Sequence, residues 1–462
     1  MKRLNLYLAA MTLCVMGVNA QKQDGSISDK MLERIRESYQ GTPEQKAVKN
    51  ALASNSIGAL AVNSENLSMI DTHFSHRVKT KGITNQKSSG RCWLFTGLNV
   101  LRAKMIDKYD LPGFEFSQNY NSFYDLLEKS NLFLQGIIDT RELPLDDRKV
   151  DWLLKNPIGD GGQFTGVSNL IMKYGVVPKE VMPETYQSDE TSQMGMILKW
   201  KLREFALELR DMKSSDAIIK RKESMLSEIY RILVECLGVP PTEFEWTRYN
   251  NKGEVVSSKI YTPKSFYQEY IGEDLENNYV MIMNDPSREY GKVYEIEYDR
   301  HVYDGENWLY INLPIEQVKE LAIASIKDNT AMYFSCDVGK FMDRKKGTLD
   351  LNNMDYESLF RTKFPMDKKQ RIQTFSSGSS HAMTLIAVDL DESGKPRKWM
   401  VENSWGASSG YQGNLIMTDE WFDNYMFRVV VEKKYVPADI LAMLKQKPIM
   451  LPPWDPMFAP EE

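Results

Sequence analysis

The chain has 462 residues, 42% hydrophobic, 11% aromatic and 26% charged, a balance that excludes disordered and fibrous classes and fits one compact unit carrying an inserted region. Its 64 acidic and 58 basic residues leave a net charge of -6, so no overall positive field attracts nucleic acid or an anionic membrane. The short basic runs Lys220-Arg221-Lys222 and Arg344-Lys345-Lys346 lie close to acidic residues and read as solvated faces.

The chain opens with Lys2 and Arg3, an apolar stretch over residues 6–18, and Val18-Asn19-Ala20. This is the pattern of a secretory signal peptide, residues 1–20, cut near Ala20. The stretch is too short to span a bilayer, and no later run reaches the ~20 apolar residues a spanning helix needs. Cys14 lacks the small residues that precede a lipid-modified cysteine, so a soluble exported protein, periplasmic or extracellular, is expected. Removal of the signal leaves Cys92, Cys236 and Cys336. An odd number keeps at least one thiol outside any disulfide, and a disulfide framework is not expected in so large a chain.

Residues 21–60 are polar and form an N-terminal arm with a helix near residues 30–38. In the segment 61–190, Leu94, Leu98, Leu101 and Met105 repeat at helical spacing and predict a buried helix beginning near Cys92. An insertion region spans 191–312. Within it, Leu198, Leu202, Phe205 and Leu209, followed by Leu226, Ile229, Leu233 and Leu237, predict a pair of helices, stopped by Gly238-Val239-Pro240-Pro241. Turn signals at residues 250–253 and 303–305 point to short strands and loops before residue 312. The segment 313–450 is β-rich: a short helix after Pro314, a buried strand over 331–337, then strands over 381–390 and 399–402 joined by a turn at 391–396. Weaker strand signals follow at 415–417 and 427–431. Residues 451–462 form a Pro-rich C-terminal arm. The fold class is α+β, a helical N-terminal lobe facing a β-rich C-terminal lobe, with a helical insertion.

A thiol becomes a strong nucleophile when ionised, which a helix N-terminus or a neighbouring imidazolium favours. Cys92 occupies such a helix start. Gln86, six residues upstream, is positioned to donate its amide N–H to a developing oxyanion. Of the four histidines, His73, His76, His301 and His381, His381 stands at a strand start after small residues that leave room for substrate. His73 and His76 lie in a polar stretch and His301 among charged neighbours. Asn403 follows the predicted hairpin, where its side-chain oxygen can accept the imidazole N–H while Trp405 shields the bond. The remaining histidines and cysteines lack metal-ligand spacing, and no cofactor is implied.

These residues occur in segments that together resemble a family. Thr84-Asn85-Gln86-Lys87-Ser88-Ser89-Gly90-Arg91-Cys92-Trp93-Leu94-Phe95, His381-Ala382-Met383 and Trp399-Met400-Val401-Glu402-Asn403-Ser404-Trp405-Gly406 resemble the papain-like cysteine peptidases, and among them the bleomycin hydrolase and aminopeptidase C branch, in which Arg precedes the cysteine. Asp160-Gly161-Gly162-Gln163 and Lys173-Tyr174-Gly175-Val176-Val177-Pro178 resemble the segment whose glycines pair with the substrate backbone. Leu451-Pro452-Pro453-Trp454-Asp455-Pro456-Met457-Phe458 resembles the branch's C-terminal arm, which lies in the active-site cleft.

The resemblance implies a papain-like fold and a cysteine aminopeptidase that removes N-terminal residues from peptides. Cys92, His381, Asn403 and Gln86 are then its catalytic residues, and Gly161, Gly162, Trp405 and the terminal Glu462 its substrate-binding residues. The terminal carboxylate would block longer chains and receive the substrate's α-ammonium. The end, Phe458-Ala459-Pro460-Glu461-Glu462, is longer and more acidic than the family pattern. Export is a second departure. A homohexamer is implied by the resemblance, whereas nucleic-acid binding is not expected from the acidic balance. Two other readings are an exported endopeptidase or amidase acting on peptides such as those of cell walls, and a binding protein on a degenerate peptidase fold.

Overall fold

The computed structural model describes residues 25–66 and 71–457; the proposed signal segment and Glu462 lie outside them. The described residues fall into two compact units, one of residues 25–62 with 355–362 and one of 63–354 with 363–457.

The first unit contains short helices at Asp29–Glu37, Pro43–Leu52, Ile57–Leu60 and Tyr356–Phe360. Ser28, Thr42 and Ser56 cap the first three with their hydroxyls, and Thr42 with Gln45 completes a capping box. None of the four helices buries a side chain within the chain. The sequence signals predict the first helix; the other three go beyond that reading, although Thr42-Pro43 followed by Gln45 is a legible helix start.

In the second unit the predicted helix runs Cys92–Tyr109, with Leu94, Leu98, Leu101 and Met105 all buried. The insertion helices are Thr191–Asp211 and Ser215–Leu237, and their periodic residues Leu198, Leu202, Phe205, Leu209, Ile229, Leu233 and Leu237 are buried. Both pack against a long helix, Gln118–Asp139. A hairpin of Phe244–Tyr249 and Val255–Tyr261 follows, then a helix at Pro263–Tyr270 that the turn-and-strand reading of this region does not include.

The β-rich half is one sheet. At its centre the fully buried strand Met332–Cys336 lies between Met426–Glu432 and His381–Leu390. His381–Leu390 pairs next with Pro396–Glu402, which pairs with Asn414–Thr418. The hairpin of His381–Leu390 and Pro396–Glu402 sets His381 and Asn403 at the same end of adjacent antiparallel strands. A buried ion pair, Arg102 Nη2 to Glu402 Oε1 at 2.5 Å, ties the Cys92 helix to the residue before Asn403. Asn99 Nδ2 on that helix donates to Thr84 Oγ1 at 3.0 Å, fixing the approach to Gln86. Helix and hairpin are therefore registered to each other next to the site.

Candidate active site

Cys92 is the first residue of its helix, where no side chain caps the end and no acidic residue occupies the first turn. The exposed end of the helix dipole therefore favours negative charge at this position. Arg91, which precedes it, is buried; its guanidinium meets Glu184 at 2.9 Å and packs over Phe95. The arginine thus anchors the loop before Cys92, and the half-buried Cys92 opens on a cleft of about 800 Å³. Gln86, Gly161, Gly162, His381 and Trp405 line the same cleft.

His381 is buried, and its Nε2 lies 2.8 Å from Asn403 Oδ1. The same Oδ1 accepts the backbone N–H of Ser404 at 2.8 Å. A backbone N–H needs an acceptor, so the amide oxygen and not its nitrogen faces the ring. Nε2 therefore carries the imidazole proton and Nδ1 holds the lone pair. Trp405 packs beside the ring, centroids 4.8 Å apart. Burial pushes the imidazole down to about 4, with the Asn403 hydrogen bond acting in the opposite direction. The ring is thus held neutral, as a base ready to accept a proton.

Gln86 is fixed at both ends of its amide. Nε2 donates to Ser89 O at 2.6 Å, and Oε1 accepts from Ser404 Oγ at 2.6 Å. One N–H of the Nε2 group serves Ser89, which leaves the second for a ligand in the cleft. Ser404, adjacent to Asn403, thereby orients the Asn403 amide through its backbone and the Gln86 amide through its side chain.

The glycine segment is held by residues that the sequence reading did not single out. Asp160 Oδ2 accepts the Gly90 N–H at 2.7 Å and its carbonyl accepts Trp93 Nε1 at 2.8 Å, joining this segment to the loop around Cys92. Lys129 Nζ donates to Gly159 O at 3.0 Å, Gly161 O at 2.6 Å and Asp125 Oδ2 at 2.8 Å. His301 Nδ1 meets Asp125 Oδ1 at 2.5 Å. Burial pushes Asp125 up, but the charges of Lys129 and His301 outweigh it and the carboxyl lies below its ordinary range. Gly162 and Gly166 make room for the His301 ring, since a Cβ at either would come within 2.3 or 2.4 Å of it. A Cβ added at Gly161 would meet nothing within 4 Å, and this residue lines the cleft. His301, set aside from its charged neighbours in sequence, is a buried support beneath the glycine segment.

The described part of the C-terminal arm is docked. Ile449–Leu451 pairs in parallel with Lys292–Ile296, Trp454 stacks under Arg148, and Met457 is buried. Arg428 joins the arm to the glycine segment, donating through Nη2 to Met457 O at 2.7 Å and through Nη1 to Gln163 Oε1. The basic run at Arg344 departs from a purely solvated reading, because its guanidinium lies over Trp405 at 5.6 Å. Cys92, Cys236 and Cys336 form no disulfide. No group of His, Cys, Asp and Glu among the described residues could hold a metal ion, and no helix among them is long and apolar enough to cross a membrane.

A model of the Peptidase C1-like family matches residues 26–458. The chain is 42% identical to human bleomycin hydrolase over 401 residues, covering 84% of this chain and 88% of that one. It is 38% identical to aminopeptidase C of Lactobacillus delbrueckii subsp. lactis over 442 residues, covering 94% and 98%. The crystal structure of PepW from Lactobacillus rhamnosus superposes with a TM-score of 0.90 at 40% identity, covering 94% of this chain and 99% of that one. The α+β, papain-like architecture expected from the sequence is thereby established. With a thiol at a helix start facing the same cleft as an asparagine-bound histidine, the chain belongs to the Peptidase C1-like family, in its bleomycin hydrolase and aminopeptidase C branch, and is a cysteine-type peptidase.

Proposed function

We propose that the chain is an aminopeptidase in which Cys92 attacks the peptide carbonyl, His381 is its base and Asn403 holds the base in the required tautomer. The observation that carries this reading is the 2.8 Å contact of His381 Nε2 with Asn403 Oδ1. It leaves Nδ1 to take the thiol proton and later to deliver it to the departing amine. The Cys92 backbone N–H and the second Gln86 N–H receive the oxyanion. Water then releases the acyl-enzyme. Gly161 and Gly162 pair with the substrate backbone, and Trp405 walls the cleft beside His381.

Restriction to N-terminal residues is supported by the docked arm, which Arg428 holds against the glycine segment. Glu462 as the group that limits the cleft falls outside the described residues. Export after cleavage near Ala20 and assembly as a homohexamer with peptides as substrates belong to the same reading.

The test compares an aminoacyl fluorogenic substrate with its N-acetylated counterpart, and follows peptide products by mass spectrometry. Stepwise release of N-terminal residues, with the acetylated substrate cleaved at least about tenfold less efficiently, is the expected result. Internal cleavage with no preference for a free amine would assign an endopeptidase or amidase instead.

A further inference from the structure

Resting on the mechanism in which Gln86 supplies an oxyanion donor, we propose that Arg91 is a positioning residue for that donor. Through Ser89 it fixes the orientation of the Gln86 amide, without touching substrate. Arginine before the cysteine marks the sequence motif, yet neither the proton transfers nor the oxyanion donors make use of it.

The chain of contacts is short. Arg91 Nε donates to Ser89 Oγ at 3.1 Å. A hydroxyl has one proton, and Ser89 Oγ gives it to Gln86 O at 2.6 Å, so a lone pair of that oxygen faces the guanidinium. The Ser89 carbonyl in turn accepts Gln86 Nε2 at 2.6 Å. Ser89 therefore grips Gln86 at its main chain and at its side-chain amide, and Arg91 grips Ser89. The N–H spent on Ser89 decides where the other N–H of the amide points, so a shift of the Ser89 carbonyl turns the free donor away from the cleft.

The turn between these residues does not hold itself. Lys87 within it has a φ of 54°, a left-handed conformation that a residue with a side chain adopts at a cost. Ser404 secures one side of Gln86, its carbonyl accepting Gln86 N at 2.8 Å and its Oγ donating to Oε1 at 2.6 Å. Arg91 secures the other. Its guanidinium is immobilised by the ion pair of Nη1 with Glu184 at 2.9 Å and by packing over Phe95 at 5.3 Å, which aims Nε at Ser89. The two charged side chains are only 1% and 13% exposed and compensate each other, so little net charge is left to act on the Cys92 sulfur. Gln86 and Ser89 line the cleft, whereas Arg91 is not part of its wall.

The test uses the full chain, Gln86→Ala, Arg91→Lys, Ser89→Ala, Ser89→Thr and the double variant Arg91→Lys with Gln86→Ala. It measures kcat and KM on an aminoacyl fluorogenic substrate, Ki of an aminoacyl aldehyde and the rate of Cys92 alkylation by iodoacetamide, with thermal unfolding as the check of fold. The sulfur adds to the aldehyde carbon, and the former carbonyl oxygen lands among the oxyanion donors; alkylation displaces iodide and forms no oxyanion. Gln86→Ala is expected to lose about 10²-fold in kcat. Arg91→Lys keeps a charge opposite Glu184 but loses Nε. It is expected to lose about tenfold or more in kcat, with Ki of the aldehyde rising by the same factor and with KM and the alkylation rate within about twofold of the parent. Ser89→Ala should repeat this pattern, Ser89→Thr should retain parental values, and Arg91→Lys should cost nothing further once Gln86 is replaced. Should Arg91→Lys fail to fold, the two Ser89 variants decide by the same measurements. Parental kcat in a folded Arg91→Lys or in Ser89→Ala, a loss undiminished in the Gln86→Ala background, or slowed alkylation would overturn the proposal. Parental kcat and Ki in Gln86→Ala would instead refute Gln86 as an oxyanion donor, and the role of Arg91 would fall with it.

Discussion

Cys92→Ala is expected to lower kcat/KM on an aminoacyl fluorogenic substrate by roughly 10⁴-fold or more while leaving thermal unfolding nearly unchanged. The side chain is half-buried at a helix start and opens on the cleft, so its loss removes a reactive group and little packing. The remaining oxyanion donors and the cleft can still bind substrate, which keeps KM near its original value. Activity measurements alongside a melting curve check this. A folded variant with activity within tenfold of the parent would remove Cys92 from the mechanism.

His381→Ala is expected to cost about 10⁴-fold as well, and to change the shape of the pH profile. Burial holds the imidazole neutral at mid pH, with its proton on Nε2 against Asn403, so the ring is a competent base over the whole neutral range. Without it the sulfur must ionise unaided. Residual activity should then climb steadily as pH rises toward the ordinary thiol range near ~8.5. Protonation of the buried ring is opposed, so the parent keeps its activity through neutrality and loses it only on the acid side. A variant whose profile matches the parent's would show that another group takes the proton.

Much of this site was legible because its parts are local. Cys92 begins a helix whose apolar residues recur at helical spacing, and every one of them is buried. His381 and Asn403 flank a hairpin that strand-like runs and turn residues predict, and the ladder of Thr384 with Glu402 carries them to one end. Gln86 is near its cysteine in sequence, so six residues suffice to bring it into the cleft.

What was not legible depends on contacts between distant segments. Asp125 and His301 are 176 positions apart and Lys129 and Gly161 are 32 apart; no periodicity links such pairs. A lone histidine among charged residues carries no sign that two glycines, Gly162 and Gly166, are shaped around its ring. The helix Pro263–Tyr270 differs: Thr262 and Ser265 form a capping box with Pro at the first turn, a signal masked by the aromatic residues around it.

The most direct measurement is site-resolved alkylation. The unaltered chain is treated with limiting iodoacetamide at about pH 6, and modified peptides are quantified by mass spectrometry. Burial raises the thiols of Cys236 and Cys336 above their ordinary value, so both should react slowly, whereas Cys92, half-buried at an uncapped helix start and in the same cleft as the neutral His381 ring that can take its proton, should be modified first and almost exclusively. Modification of Cys92 no faster than that of Cys236 would contradict the account.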